Sequence, residues 1–155
     1  MATKMNYDAT HAIAYPSKVL AQNGGAHIYN VELSADADNG AIVKRGDFID
    51  LDLYEEAAAS TMTGVIQKQA ANGNWYVEIT ANDDHELFVY MPAFIPEEWT
   101  KTMKNEKRWF NAKGDVVRGY DLAVGDVIEL SAEGFEGTPE AGKALTVANK
   151  KFVVA

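Results

Sequence analysis

Short alternating runs separated by turn residues dominate the chain and limit what it can fold into. From residue 26 onward, runs of about four to eight residues alternate apolar and polar side chains, and Gly, Asn, Asp or Pro bound each run. Period-two alternation is typical of a strand that buries one face, whereas a helix repeats every 3.6 residues. Many short strands with frequent turns indicate an antiparallel β-sandwich or barrel, so we expect a mainly β fold.

Two stretches illustrate the pattern. Residues 63–80 predict a hairpin around Asn72-Gly73, a dipeptide that tolerates the positive φ angles of a tight turn. One face of its second arm carries Trp75, Val77 and Ile79. Residues 47–53 also alternate, with Ile49, Leu51 and Leu53 against Asp50 and Asp52, which predicts one half-buried strand.

The β pattern begins at residue 26, and this boundary gives the expected domain organisation. Residues 1–25 show no sustained period, so we expect an extended N-terminal arm there, with no core element, that docks on a neighbouring subunit. Residues 26–155 form a single β domain in this interpretation. Pro96 followed by two glutamates predicts one short helix, and we expect at most one or two short helices in all.

Composition narrows the choice of partners. The formal charge is −9, from 23 acidic and 14 basic residues, and the chain has no cysteine. An acidic surface repels phosphates, so we expect neither nucleic acid nor an anionic membrane as a partner. Disulfides and thiolate metal sites are excluded. The sequence shows neither a secretory signal nor an apolar run long enough for a membrane helix.

The tripeptide Arg45-Gly46-Asp47 matches the short signal for integrin binding, but a second stretch favours another explanation. Gly125-Asp126 precedes a similar alternating run without a preceding arginine. Glycine permits a turn and aspartate can bond to the backbone nearby, so we interpret both Gly-Asp pairs as turns that start strands.

Catalytic and metal-binding patterns do not emerge from the remaining polar residues. The acidic loop from Asp36 places Gly40 one residue too early for an EF-hand, and residues 83–86 (DDHE) fit a solvated turn. No nucleophile elbow or phosphate-binding loop is present. We therefore expect no enzyme, no cofactor and no metal. A small barrel enzyme or ligand carrier stays open as an alternative and predicts an internal pocket.

Residues 30–53 (NVELSADADNGAIVKRGDFIDLDL), 120–135 (YDLAVGDVIELSAEGF) and 142–155 (GKALTVANKKFVVA) carry a resemblance to a known class. Together with the N-terminal arm, their order resembles that of head decoration proteins of tailed bacteriophages, also called capsid auxiliary or cement proteins. The resemblance covers residues 30–60 and 115–155 and is one of pattern, while residues 94–110 have no counterpart.

This resemblance implies a non-enzymatic structural virion protein. It would bind the major capsid protein on the capsid exterior as a homo-oligomer, with a trimer favoured, and stabilise the shell after assembly in the host cytoplasm. The alternative is a carbohydrate- or receptor-binding module of a phage tail or baseplate that uses exposed tryptophans. The residues that we expect to contact a partner are Tyr7, His11, Tyr15, Phe94, Trp99 and Trp109.

Overall fold

The computed structural model describes residues 11–22, 27–92 and 109–155, and these residues form twelve strands in two β structures. The strands are β1 (Ala14–Lys18), β2 (Ile28–Glu32), β3 (Ile42–Asp50), β4 (Leu53–Ala58), β5 (Thr63–Gln69), β6 (Trp75–Ala81), β7 (Leu87–Val89), β8 (Val116–Asp121), β9 (Val127–Leu130), β10 (Phe135–Glu136), β11 (Ala144–Ala148) and β12 (Lys151–Val154). The predicted mainly β fold is confirmed.

Five of the strands close into a small barrel in the order β2-β4-β3-β7-β8. The pairing of β2 with β4 is parallel, while the other pairings in the barrel are antiparallel. Its interior is filled by buried apolar side chains, among them Val31, Val43 and Val117. The barrel is therefore packed around a core of its own.

The remaining strands form a seven-stranded sheet in the order β1-β9-β6-β5-β11-β12-β10. The predicted hairpin around Asn72-Gly73 is confirmed as β5 and β6, and Gly73 has a φ of +92°. Val77 and Ile79 are fully buried, as their alternation indicated. They belong to the larger core, which also contains barrel residues such as Phe88 and Tyr120, so both β structures share it.

Within the described residues, the helical content is two three-residue 3-10 turns, Leu20–Gln22 and Ala132–Gly134. No residue that the structure describes belongs to a helix with the length and apolar character of a membrane span. The helix that we expected after Pro96 lies outside the described residues.

The N-terminal region requires a correction. Residues 11–22 contain β1, which pairs with β9, and the side chains of Ala14, Val19 and Ala21 are buried in the larger core. The expectation that residues 1–25 hold no core element is therefore wrong for this part. The run was missed because its small side chains lack a clear period and its pairing is distant in sequence. An arm in residues 1–10 lies outside the described residues.

A buried carboxylate fixes the loop between the barrel and the sheet. Glu86 is only 1% exposed, although we expected a solvated turn at residues 83–86. Its carboxylate accepts backbone N–H groups from Ser60 (2.6 Å), Thr61 (2.8 Å) and Met62, all in the loop from β4 to β5. The side chain of Asn82 bonds to the backbone N–H and C=O of Glu86. The turn prediction holds for the exposed residues 83–85 and is wrong for Glu86.

A second polar contact joins the two β structures. Lys150, in the turn between β11 and β12, places its Nζ atom 2.5 Å from Oε1 of Glu56 on β4. Ser34 donates to the other oxygen of Glu56, and the Glu56 side chain is 3% exposed. Burial raises the pKa of Glu56, but the hydrogen bonds from Lys150 and Ser34 outweigh it and hold the pKa below its ordinary value of 4.5.

We expect this contact to make stability depend on pH. Because the pKa of Glu56 is lower in the folded state, its ionised form stabilises the protein above the unfolded pKa of 4.5, and this contribution is lost as pH falls through the folded-state pKa. Glu56→Gln should lower the free energy of unfolding by about 1–3 kcal/mol at neutral pH, measured by urea denaturation. The difference from the wild type should shrink toward about pH 3.

The control for this measurement is Glu55→Gln, since Glu55 is the exposed neighbour on the same strand. It should change the free energy of unfolding by less than about 0.5 kcal/mol at either pH. A Glu56→Gln difference that stays constant with pH would show that the ionised carboxylate is not the source of the stabilisation.

Candidate binding surface

The hairpin formed by β3 and β4 carries three of the six exposed large apolar side chains of the described residues. Its turn is Leu51-Asp52, where both residues have positive φ angles of 44° and 64°, as in a type I′ turn. The prediction of one half-buried strand over residues 47–53 is therefore wrong, because the chain reverses direction in the middle of this run. Two strands meet there, and the alternation continues across the turn.

Three large apolar side chains project from this end of the hairpin. Phe48 is 61% exposed, Ile49 42% and Leu51 86%. We call residues 47–52 the hairpin tip. Single apolar side chains are common on protein surfaces, but three within four residues at one hairpin end are typical of an interaction site. Sequence reasoning missed these residues because the strict alternation suggested that Ile49 and Leu51 face a core.

Aromatic rings and one arginine stiffen the hairpin beneath its tip. The guanidinium carbon of Arg45 lies 4.3 Å from the ring centre of Tyr29 and 4.9 Å from that of Tyr54. Phe48 packs edge-on against Tyr54 with 5.6 Å between ring centres, and Tyr29 and Tyr54 are 6.0 Å apart. Such cation–π and edge-to-face contacts each contribute about 0.5–1 kcal/mol at exposed sites. Together these residues, which we call the aromatic ladder, connect β2, β3 and β4.

Gly46 lies inside β3, so the interpretation of Gly46-Asp47 as a strand-starting turn is wrong. Gly46 does not have a positive φ; instead, a Cβ atom at this position would lie 2.8 Å from the backbone oxygen of Glu55 on β4. The register between β3 and β4 shifts between Arg45 and Phe48, which is the irregularity of a β-bulge. Glycine is needed here because the two backbones approach closely.

The second Gly-Asp pair does form the predicted turn. Gly125 has a φ of +93°, and the carboxylate of Asp126 accepts the backbone N–H of Ala123 at 2.8 Å. The two similar sequence segments thus adopt different structures. In the first, Arg45 is exposed, and its guanidinium lies over the rings of Tyr29 and Tyr54 in a strand instead of an adhesion loop.

The tip is acidic. The carboxylates of Asp47, Asp50 and Asp52 make neither an ion pair nor a side-chain hydrogen bond within the described residues. Arg45, the nearest cation along the strand, is occupied by the aromatic ladder. The apolar side chains therefore lie among three carboxylates that form no ion pair within the described residues.

None of the residues that we expected to contact a partner belongs to the hairpin tip. Tyr7, Phe94 and Trp99 are outside the described residues. Nδ1 of His11 lies 2.6 Å from Asp38 and its ring stacks on Phe110, so His11 is engaged within the chain.

The other two predicted residues are brought together. Tyr15 and Trp109 both line a cavity of about 180 Å³ beside β1, although Trp109 is only 6% exposed. Their role in contacting a partner stays a prediction.

Other polar clusters offer less chemistry. His85 places Nδ1 3.0 Å from the carboxylate of Asp121 beside a cavity of about 280 Å³. In residues 11–22, 27–92 and 109–155, no three His, Asp or Glu side chains are arranged to hold a metal ion. A comparison with known protein families, curated proteins and solved structures found no match to this chain. The geometry of the hairpin is thus the best guide to function.

The close approach at Gly46 leads to a prediction for stability. Gly46→Ala should lower the free energy of unfolding by about 1–3 kcal/mol, because the added methyl group meets the backbone of Glu55 and forces β3 away from β4. Denaturant unfolding measures the loss, and the near-ultraviolet circular dichroism of the tyrosines should weaken as the aromatic ladder separates.

The matched control is Asp47→Ala, which makes the same residue at the adjacent exposed position. Its effect on the free energy of unfolding should stay within about 0.5 kcal/mol. Equal effects of the two substitutions would contradict the close-packing role of Gly46.

Proposed function

We propose that this protein is a non-enzymatic structural component of a bacteriophage virion that binds and stabilises the outer surface of the capsid. The observation that carries the proposal is the hairpin tip, where Phe48, Ile49 and Leu51 are held in solvent on a stiff support. A group of exposed apolar side chains gains free energy when a partner covers it, at about 25 cal/mol for each Å² of apolar surface.

The support beneath the tip favours a protein partner with a fixed surface. The aromatic ladder and the closed barrel order the hairpin before binding, so association costs less conformational entropy than docking of a flexible loop would. A capsid presents many identical copies of one rigid surface. A preformed projection is well suited to bind such a repeated site.

The sequence resemblance supplies the identity of the partner. The tip lies within residues 30–60, one of the two segments that resemble phage head decoration proteins. In this proposal the partner is the major capsid protein, and the chain acts as a homo-oligomer, with a trimer favoured, on the exterior of the virion.

The alternative is a carbohydrate- or receptor-binding module of a phage tail or baseplate. It depends on exposed tryptophans as a stacking platform. Trp75 packs against the larger core and Trp109 is buried, while Trp99 lies outside the described residues. The exposed apolar tip therefore supports a protein surface as the ligand better than a sugar.

The test is co-sedimentation of the purified protein with capsids assembled from the major capsid protein of the same genome. We expect saturable binding at a fixed number of copies per capsid, and an increase in the temperature at which the capsids rupture. Unassembled capsid protein serves as the control, since it lacks the assembled surface. Absence of binding to the capsids, or of a major capsid protein from the genome, would contradict the proposed function.

A further inference from the structure

The chemistry of the hairpin tip specifies the surface that it binds. We propose, on the basis of the function above, that Phe48 and Leu51 insert into an apolar pocket of the partner protein whose rim carries Lys or Arg side chains. The tip is the docking element and the aromatic ladder holds it in the binding conformation.

The turn at the tip supports an external role for Leu51. Leucine rarely adopts positive φ, because its Cβ atom crowds the backbone there. Two other residues with positive φ, His85 and Lys150, have partners inside the chain: His85 meets Asp121 and Lys150 meets Glu56. His85 is exposed too but has Asp121 as its partner, whereas Leu51 is 86% exposed and belongs to neither buried core. Its unfavourable conformation thus presents an apolar side chain to the outside.

The same chain contains a more favourable turn that exposes no large apolar side chain. The hairpin of β5 and β6 uses Asn72-Gly73, and the side-chain oxygen of Asn72 accepts the backbone N–H of Asn74 at 3.1 Å. In that turn only Gly73 has a positive φ, which glycine adopts without strain, whereas Leu51-Asp52 places two residues with side chains at positive φ. The difference between the two turns points to Leu51 as a side chain that serves binding.

Phe48 is presented in a fixed orientation. It pairs across the strands with Tyr54, and the rings meet edge-on. One side of the Phe48 ring is therefore supported while most of its surface stays exposed. Aromatic side chains, Phe among them, are enriched at protein interfaces.

The charges around these side chains define the rim of the pocket. Asp47, Asp50 and Asp52 flank Phe48 and Leu51, and their carboxylates have no partner within the described residues. Burying these carboxylates beside neutral or acidic groups would cost free energy. Lys or Arg side chains on the partner offset that cost and accelerate association. The chain as a whole carries a formal charge of −9, which also favours a positively charged partner surface.

The apolar part is tested with the double substitution Leu51→Asn/Asp52→Gly. It installs the preferred turn dipeptide and removes both the projecting leucine and the Asp52 carboxylate, so Asp52→Gly alone measures the part due to charge. The temperature midpoint of unfolding should be unchanged or higher than in the wild type, while the Kd for the assembled capsids should rise at least about tenfold. A residue with only a structural role would not give this opposite pair of effects.

Val124→Asn is the matched control, because Val124 is also an exposed apolar residue of a turn but lies outside both the hairpin tip and residues 1–25. Its Kd for capsids should stay within about twofold of the wild-type value. If the double variant also bound capsids as tightly as the wild type, Leu51 would have no part in docking and the inference would be overturned.

The charged rim is tested with Asp47→Asn/Asp50→Asn and titration with salt. At low salt this variant should bind capsids more weakly than the wild type. Its affinity should also decrease less than that of the wild type as salt rises, because fewer opposite charges are paired. Tighter binding of this variant, or an unchanged salt dependence, would contradict a basic rim.

The two levels of the proposal fail in different ways. Wild-type protein that does not bind capsids at all would overturn the proposed function and the inference together. Wild-type binding that is insensitive to both tip variants would leave the proposed function standing and overturn only the assignment of the tip.

Discussion

The parallel pairing of β2 with β4, which closes the barrel, is the constraint on which the hairpin depends. β4 pairs with β3 along one edge and with β2 along the other. A two-stranded hairpin is marginally stable in water, and a third strand gives it lasting order. β2 also contributes Tyr29 to the aromatic ladder. The pairing that closes the barrel therefore also brings Tyr29 to Arg45.

Polar contacts then fix the barrel against the sheet. Glu86 binds the loop that leaves β4, and Lys150 reaches from the turn of β11 and β12 to Glu56. The backbone oxygen of Lys150 also accepts the N–H of Ile42 at the start of β3. The base of the hairpin is thus held by both β structures, while its tip is left to face solvent. A rigid base and an exposed apolar end are the properties expected of a docking projection.

The sequence predicted those parts of the fold whose signals are local. The hairpin around Asn72-Gly73 could be predicted because both the turn dipeptide and the alternation of Val77 and Ile79 lie within a few residues. The turn at Leu51-Asp52 could not, since leucine is an unfavourable turn residue and the turn is imposed by the pairing of β4 with both of its neighbours. Distant pairing also explains why β1 was missed: its partner, β9, is more than a hundred residues away.

Amide hydrogen exchange of the protein, free and bound to capsids, tests most directly whether the tip is the docking element. We expect binding to slow exchange most strongly at residues 47–53, while the base of the hairpin is already slow in the free protein because the closed barrel protects it. Unchanged exchange at residues 47–53, with new protection confined to another surface, would contradict the central claim that this hairpin binds the partner.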